Sequence, residues 1–381
     1  MMKKYIFLLF IFCASVSWAQ ITTIKVNPTE TFSSTNGVVY ALPQVSFRVD
    51  VWVEKTEQLK GPYAAFANKL LGLDRIIDMN ASDYKIKSIK LSAEYAPDPT
   101  QLYFLQIGEI SAKSEYSNFL NMEATGLFGG FSAGKNSVIT TENESLVEQL
   151  VKGDRAFRYY ADANLVEKVD TIIRRVDIDT ATIEKATIKR YSVEKDNLQR
   201  AQDAATYLME IRKNRFELIS GYNEVAYSPG ALELMNNELK QLENDYLALF
   251  AGKTLLTDEH YVFYVTPTSD QPNIIEPVFK FSEQNGLTYL SNAGGEKVSL
   301  AIKSNGLAEN LADVSVSGTV NGVVYRFPET AEVWVKYGNK EYAKQLMQIP
   351  QFGKLQKLQI NQNSFELHPT TGGLKMLEIK K

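Results

Sequence analysis

The chain has 381 residues, with 41 basic and 45 acidic side chains, two histidines and one cysteine. That mildly acidic balance argues against nucleic acid, which calls for a basic face. So few histidines and cysteines leave little for a zinc site, and the length suffices for two or three domains with a core that needs no staples.

Residues 1–19 carry the pattern of a cleavable secretory signal. Lys3 and Lys4 precede the apolar run Tyr5 to Phe12, and Ser17-Trp18-Ala19 sets small residues at the two positions a signal peptidase reads. The mature chain is therefore expected to start at Gln20. The run is too short for a membrane span, which takes about 20 apolar residues. Phe12 before Cys13 lacks the small residue that lipidation needs. Cleavage removes the sole cysteine and two lysines, leaving 39 basic residues against 45 acidic and no disulfide chemistry. This combination fits the bacterial periplasm or outer-membrane surface.

Val45 to Val53 alternates apolar and polar residues and predicts a strand with one buried face. Pro62 to Leu71, stopped by Gly72, predicts a short helix. Tyr84 to Tyr95 and Gln101 to Ile107 predict two strands, with Asp98-Pro99 as the turn between them. Gly126 to Gly134 looks like a loop, Glu142 to Lys152 like a short helix, and Thr171 to Tyr191 favours extended structure.

Leu198, Ala201, Ala205, Leu208 and Ile211 sit at helical spacing before Gly221. Ser228 and Pro229 then start a second helix, whose stripe Leu232, Met235, Leu239, Leu242, Tyr246 and Leu249 runs to Gly252. The short linker predicts an antiparallel hairpin. The default expectation is that its stripes pack on the protein's own core, with a partner-binding coiled coil as the alternative. Strands are expected again at Tyr261 to Val265, Ile275 to Phe281, Val298 to Ile302, Ala331 to Tyr337 and Ser364 to His368.

One segment echoes another. Asn36-Gly37-Val38-Val39-Tyr40-Ala41-Leu42-Pro43 recurs as Asn321-Gly322-Val323-Val324-Tyr325-Arg326-Phe327-Pro328, each followed by a Val-Trp-Val strand. The proline-to-tryptophan spacing differs between the copies, so register is not kept. The echo predicts two related β-units, one at each end. The expected organisation is a signal over 1–19, a β-rich domain with a short helix over 20–165, an extended segment plus hairpin over 166–252, and a second β-rich domain over 253–381. This is an α+β fold: two β-rich units flanking a long antiparallel helical hairpin.

Chemistry-bearing motifs are sparse. Gly130-Phe131-Ser132-Ala133-Gly134 fits G-x-S-x-G but lacks the strand before and the helix after that lift a nucleophile. Gly129, Gly134 and Lys135 approach a P-loop, with Asn136 where Ser or Thr should stand. Asp177-x-Asp179 lacks the rest of a calcium loop. Neither His260 nor His368 has a recognisable setting. No catalytic residue, metal site or cofactor is expected. Paired carboxylates of glycosidase type need only Asp and Glu, whose presence here discriminates nothing. Trp52 and Trp334 lie on the polar sides of their strands, where an aromatic can stack on a sugar or anchor a protein; cover by a second layer of the same protein is the default.

Several segments resemble the domain of unknown function 4831 family of exported Bacteroidota proteins. They are Gly37 to Pro43, Tyr84-Lys85-Ile86 with Pro97-Asp98-Pro99, and Glu210 to Arg215 with Ser220-Gly221. Then come Leu242 to Tyr246 with Leu249 to Lys253, Tyr325 to Pro328, Gln351-Phe352-Gly353 and Thr370-Thr371-Gly372. The resemblance implies a Gram-negative envelope and no particular activity. The expected function is non-enzymatic binding or scaffolding of envelope or outer-membrane proteins, without nucleic acid. The alternative is glycan binding or processing, which asks for aromatics clustered in one groove.

Overall fold

The structure is a computed structural model. It describes residues 21–27, 37–107, 118–122, 127–133, 157, 165–178, 181–222, 227–268, 273–359 and 364–378. The expected signal, the helix expected over Glu142 to Lys152, and Gly126, Gly134, Lys135, Asn136 and Asp179 lie outside the described residues. In chain order the elements are β1 (Ile21–Val26), β2 (Gly37–Leu59), α1 (Ala67–Leu71), β3 (Ala81–Ile107), β4 (Asn118–Met122), β5 (Phe128–Ala133), β6 (Leu165–Ile178), β7 (Ala181–Glu194), α2 (Asn197–Ser220) and α3 (Pro229–Ala251). There follow β8 (Lys253–Val265), β9 (Asn273–Ser282), β10 (Gly286–Thr288), β11 (Glu296–Ser304), β12 (Thr319–Asn321), β13 (Val323–Tyr337), β14 (Lys340–Leu358), β15 (Ser364–Leu367) and β16 (Leu374–Glu378). The fold is α+β, with the α2–α3 hairpin between β-rich parts of the chain.

Two antiparallel five-stranded sheets carry the core, in the orders β12-β1-β3-β2-β8 and β10-β9-β11-β13-β14. The alternation predicted for Val45 to Val53 places Val45, Phe47, Val49, Val51 and Val53 inside. They pack with Phe279 and Phe281 of β9, Val298, Leu300 and Ile302 of β11, and Ala331, Val333 and Val335 of β13. Residues from both ends of the chain thus share one buried layer, as two stacked sheets require.

The two copies of the echo start the strands β2 and β13, and the likeness extends to their hairpins. Asp98 to Gln101 of β3 stand against Leu42 alone. In the same way Pro350 to Gly353 of β14 stand against Pro328 alone. Beside each tryptophan comes a second bulge: Lys87 is the extra residue near Trp52, and Ala343 and Lys344 oppose Trp334. Gly37 and Gly322 also match, since a Cβ at either would strike a carbonyl oxygen of the partner strand, Leu105 or Leu358, and Gly322 has φ +104 besides. Gly37→Ala and Gly322→Ala are each expected to cost roughly 2 kcal/mol, read as a lower urea midpoint at unchanged m-value.

These bulges correct two expectations. Asp98-Pro99 does not separate two strands, because β3 runs on past it. The turn chemistry is real but local: Asp98 Oδ1 accepts from the Thr100 N–H at 2.9 Å and from its hydroxyl at 2.7 Å, which throws a bulge instead of reversing the chain. Strand β14 has no counterpart in the sequence reading. Pro350 and Gly353 interrupt its pattern, and both fall in a bulge that tolerates them.

A smaller sheet, β16-β15-β5-β4, includes Phe128 to Ala133, so that part of the expected loop is a strand. The extended segment forms the hairpin β6–β7, which pairs with no other strand among the described residues. The helices follow their signals. Asp196 and Gln199 make a capping box on α2, Gly221 closes it in the left-handed conformation, and the Ser228 hydroxyl accepts from the Ala231 N–H at the start of α3. No helix among the described residues is long and apolar enough to cross a membrane.

Burial along the hairpin is graded. At its base Ala201, Ala204, Ala205, Leu249 and Phe250 are buried with Tyr63 and Ala67. Midway, Glu243 accepts from Arg212 at 2.9 Å and Arg215 at 2.6 Å. Burial alone pushes the Glu243 carboxyl up, but the two arginines outweigh it and hold it below the ordinary carboxylate value. Toward the free end Leu232 of the α3 stripe and its neighbour Leu234 are exposed, whereas Leu218 of α2 stays buried. The base of the hairpin therefore packs in one cluster with Tyr63 and Ala67, while Leu208 is buried midway along α2.

Candidate functional site

With the valines of β2 turned inward, Arg48, Asp50 and Trp52 stand on the outer face of the first sheet. Strand β8 sets His260 beside Trp52. The imidazole stacks on the indole with centroids 4.6 Å apart and planes 16° apart. Its Nε2 lies 3.0 Å from Asp50 Oδ1. The buried Asp50 carboxylate also accepts from Arg48 Nε at 3.0 Å and Nη2 at 3.0 Å. Asp50 thus holds both the guanidinium and the imidazole, and the imidazole covers one face of Trp52. The sequence hid this setting for His260, because its partners are some 200 residues away; the alternation of β8, which turns residue 260 outward with Asp258, was the only available signal. Among the described residues the His260 ring meets only Asp50 and Trp52 by hydrogen bond or stacking.

Trp334 stands on the outer face of the other sheet, since Val333 and Val335 flank it inward. The Lys344 ammonium lies 5.0 Å above its ring. The two tryptophans therefore face away from one another on opposite sides of the sandwich and are not brought together. Ser132 lies on β5, paired on both sides to β4 and β15, far from the strand-to-helix elbow a hydrolase needs. Asp177 sits near the tip of the β6–β7 ribbon. His368 accepts turn hydrogen bonds from the N–H groups of Thr371 and Gly372 through its carbonyl. Among the described residues no group of three or more His, Cys, Asp or Glu side chains is placed to hold a metal ion.

The densest polar construction is where the two bulged hairpins cross. Arg326 of β13 donates through Nη1 to the Pro43 carbonyl at 3.1 Å and through Nη2 to Asp98 Oδ2 at 3.5 Å. Both partners of this ion pair are buried, at 5% and 6% exposure. In the reverse direction Gln351, from the β14 bulge, accepts from the Val45 N–H at 3.0 Å and donates to the Val45 carbonyl at 2.8 Å. The buried Tyr40 hydroxyl donates to the Val324 carbonyl at 2.9 Å, and the Arg326 N–H donates to the Gly372 carbonyl. Burial lowers the Arg326 guanidinium against the opposing pull of Asp98, and burial pushes the Tyr103 phenol up to about 12. Each bulge grips the other hairpin, so the arrangement acts as a two-way lock between the sheets. Residues that meet here, from Tyr40 to Gly372, are more than 300 positions apart in the chain.

A family model described as "Domain of unknown function (DUF4831)" matches residues 36–157 and 161–370. The chain belongs to the DUF4831 family. No curated protein and no solved structure matches it. In this DUF4831 chain the segments Leu42-Pro43, Pro97-Asp98-Pro99, Arg326, Gln351 and Thr371-Gly372 all converge on the lock between the hairpins. The DUF4831 segments Glu210 to Arg215 and Leu242 to Tyr246 meet in the Arg212–Glu243–Arg215 bridge that ties α2 to α3. The resemblance seen in the sequence thus marks how this DUF4831 fold is closed and how its hairpin is zipped.

Proposed function

We propose that this protein is exported to the cell envelope and there binds or scaffolds other envelope proteins without catalysis, using the free end of the α2–α3 hairpin. The observation that carries this reading is the exposure of large apolar side chains at that end: Phe216 is 66% exposed, Ile219 61% and Tyr222 80%. Apolar groups gathered at the tip of a polar-zipped hairpin mark an interaction surface. Beside them a groove of about 460 Å³ runs between the helices, floored by Leu218, Met235 and Leu239 and edged by Glu217 and Glu238. The β6–β7 ribbon supports the same reading, because it shows Val169, Ile172, Ile188 and Tyr191 to solvent, and a two-stranded ribbon alone is marginal in water. The glycan alternative asked for aromatics in one groove, and Trp52 and Trp334 occupy opposite faces.

The test is affinity capture of the native protein from its own envelope, compared with a Phe216→Asp/Ile219→Asp variant. Both sites are exposed, so the variant's thermal midpoint is expected to stay close to that of the parent. Expected is a co-purifying protein at stoichiometric yield that falls at least ten-fold with the variant. Recovery of no such protein, or capture indifferent to the two substitutions, sinks the reading.

A further inference from the structure

Four strands end the two large sheets, and three of them are protected. Strands β10 and β12 are three residues long. Strand β14 is bent by bulges, and its Gln345 and Gln351 donate across to the Leu91 and Val45 carbonyls of the other sheet. Strand β8 is the exception. It has 13 residues, no proline, and pairs with β2 from Phe47–Val265 to Leu59–Lys253 without a register shift. Its other side pairs with no strand among the described residues. Edges of this kind are normally blunted by lysine, proline or a bulge, because their open N–H and C=O groups template another strand. The sole lysine of β8 is Lys253, at its first position.

We propose that the free edge of β8 pairs antiparallel with β8 of a second copy, joining two five-stranded sheets into one of ten strands about a two-fold axis. In an antiparallel pair, residues of the same face stand opposite one another. The side chains of β8 then select the register. Centred on Glu259, the outer face sets Asp258 opposite His260 twice, Leu256 opposite Val262 twice, and Thr254 opposite Tyr264 twice. The inner face sets Leu255 opposite Phe263 and Thr257 opposite Tyr261. Leu256 and Tyr264, 69% and 59% exposed in one copy, each gain a cross-strand neighbour. Centring one residue earlier sets Asp258 against itself, and one residue later sets His260 against itself and Asp258 against Val262. Every such register sets one residue against itself, here Glu259, whose carboxylate accepts a hydrogen bond from Tyr261 at 2.6 Å; this one is selected because it alone sets Asp258, also paired with Lys87, opposite His260. The interface is isologous and closes on itself, so it yields a dimer and not a fibre.

Light scattering on the full chain is expected to give twice the 42.9 kDa chain mass. Leu256→Lys, an exposed position where lysine blunts the edge without touching the core, is expected to weaken the dimer at least ten-fold. Register is read by cross-linking in a Cys13→Ser background. Glu259→Cys places the two thiols on facing residues, within disulfide reach, and is expected to give a linked dimer; Thr254→Cys places them far apart and is expected to stay unlinked. A monomer at all concentrations, a dimer untouched by Leu256→Lys, or linkage at 254 as efficient as at 259 overturns the proposal.

Discussion

Arg326→Ala is expected to destabilise the protein by about 3–5 kcal/mol, because it strands a buried carboxylate. Asp98 keeps its local bonds to Thr100, but it loses the one cation beside it among the described residues, and the Pro43 carbonyl loses the Arg326 donor. A lock that lies between two sheets should show this cost as a lower urea midpoint for the whole sandwich, not as a local change. A second substitution separates lost charge pairing from lost packing. Asn at position 98 still offers an acceptor oxygen for the Thr100 N–H but carries no charge. In an Arg326→Leu background, Asp98→Asn is therefore expected to recover at least half of the loss, whereas in the parent it is expected to destabilise. If the two changes add without coupling, the pair is not what ties the hairpins together.

Glu329→Ala is expected to cost about 3 kcal/mol or more, since three backbone donors lose one charged acceptor. The Glu329 carboxylate is 2% exposed and accepts from Leu307 at 3.1 Å, Ala308 at 2.6 Å and Thr330 at 3.0 Å. It pins the turn that follows β11 against the middle of β13, just past the bulge at Pro328. Glu329→Gln keeps one acceptor oxygen and is expected to lose about half as much. Limited proteolysis between Asn305 and Leu311 reads the local part of the effect: cleavage there should rise in Glu329→Ala well before global unfolding. A variant whose proteolysis and urea midpoint match the parent contradicts this role.

Local periodicity was legible and long-range polar pairing was not. Val45 to Val53 announced a half-buried strand, because the period of two is a property of neighbours in the chain. Asp196, Ser228, Pro229 and Gly221 announced the helix ends for the same reason. Strand β14 was hidden by Pro350 and Gly353, which signal a break locally and a bulge only once Pro328 is seen opposite. Asp98-Pro99 misled in the same way, as its turn chemistry survives inside a continuous strand. The His260–Asp50 pair and the Arg326–Asp98 lock could not be read, since each depends on strands that are brought together from distant parts of the chain. The echo of Gly37 to Pro43 at Gly322 to Pro328 was the one sequence signal of the lock, and the four-residue bulges opposite Leu42 and Pro328 lie at the end of each copy.

A locked sandwich presenting a hairpin with an unmet apolar end makes a direct demand on hydrogen exchange. In the isolated protein the amides of β2, β11 and β13 should exchange only through global unfolding, and those of residues 214–222 and 227–235 far faster. On the complex captured from the native envelope, the same hairpin residues should slow by at least ten-fold while the strands stay unchanged. Protection that appears on the outer faces around Trp52 or Trp334 instead, with the hairpin end still exchanging freely, contradicts the assignment of partner binding to α2–α3.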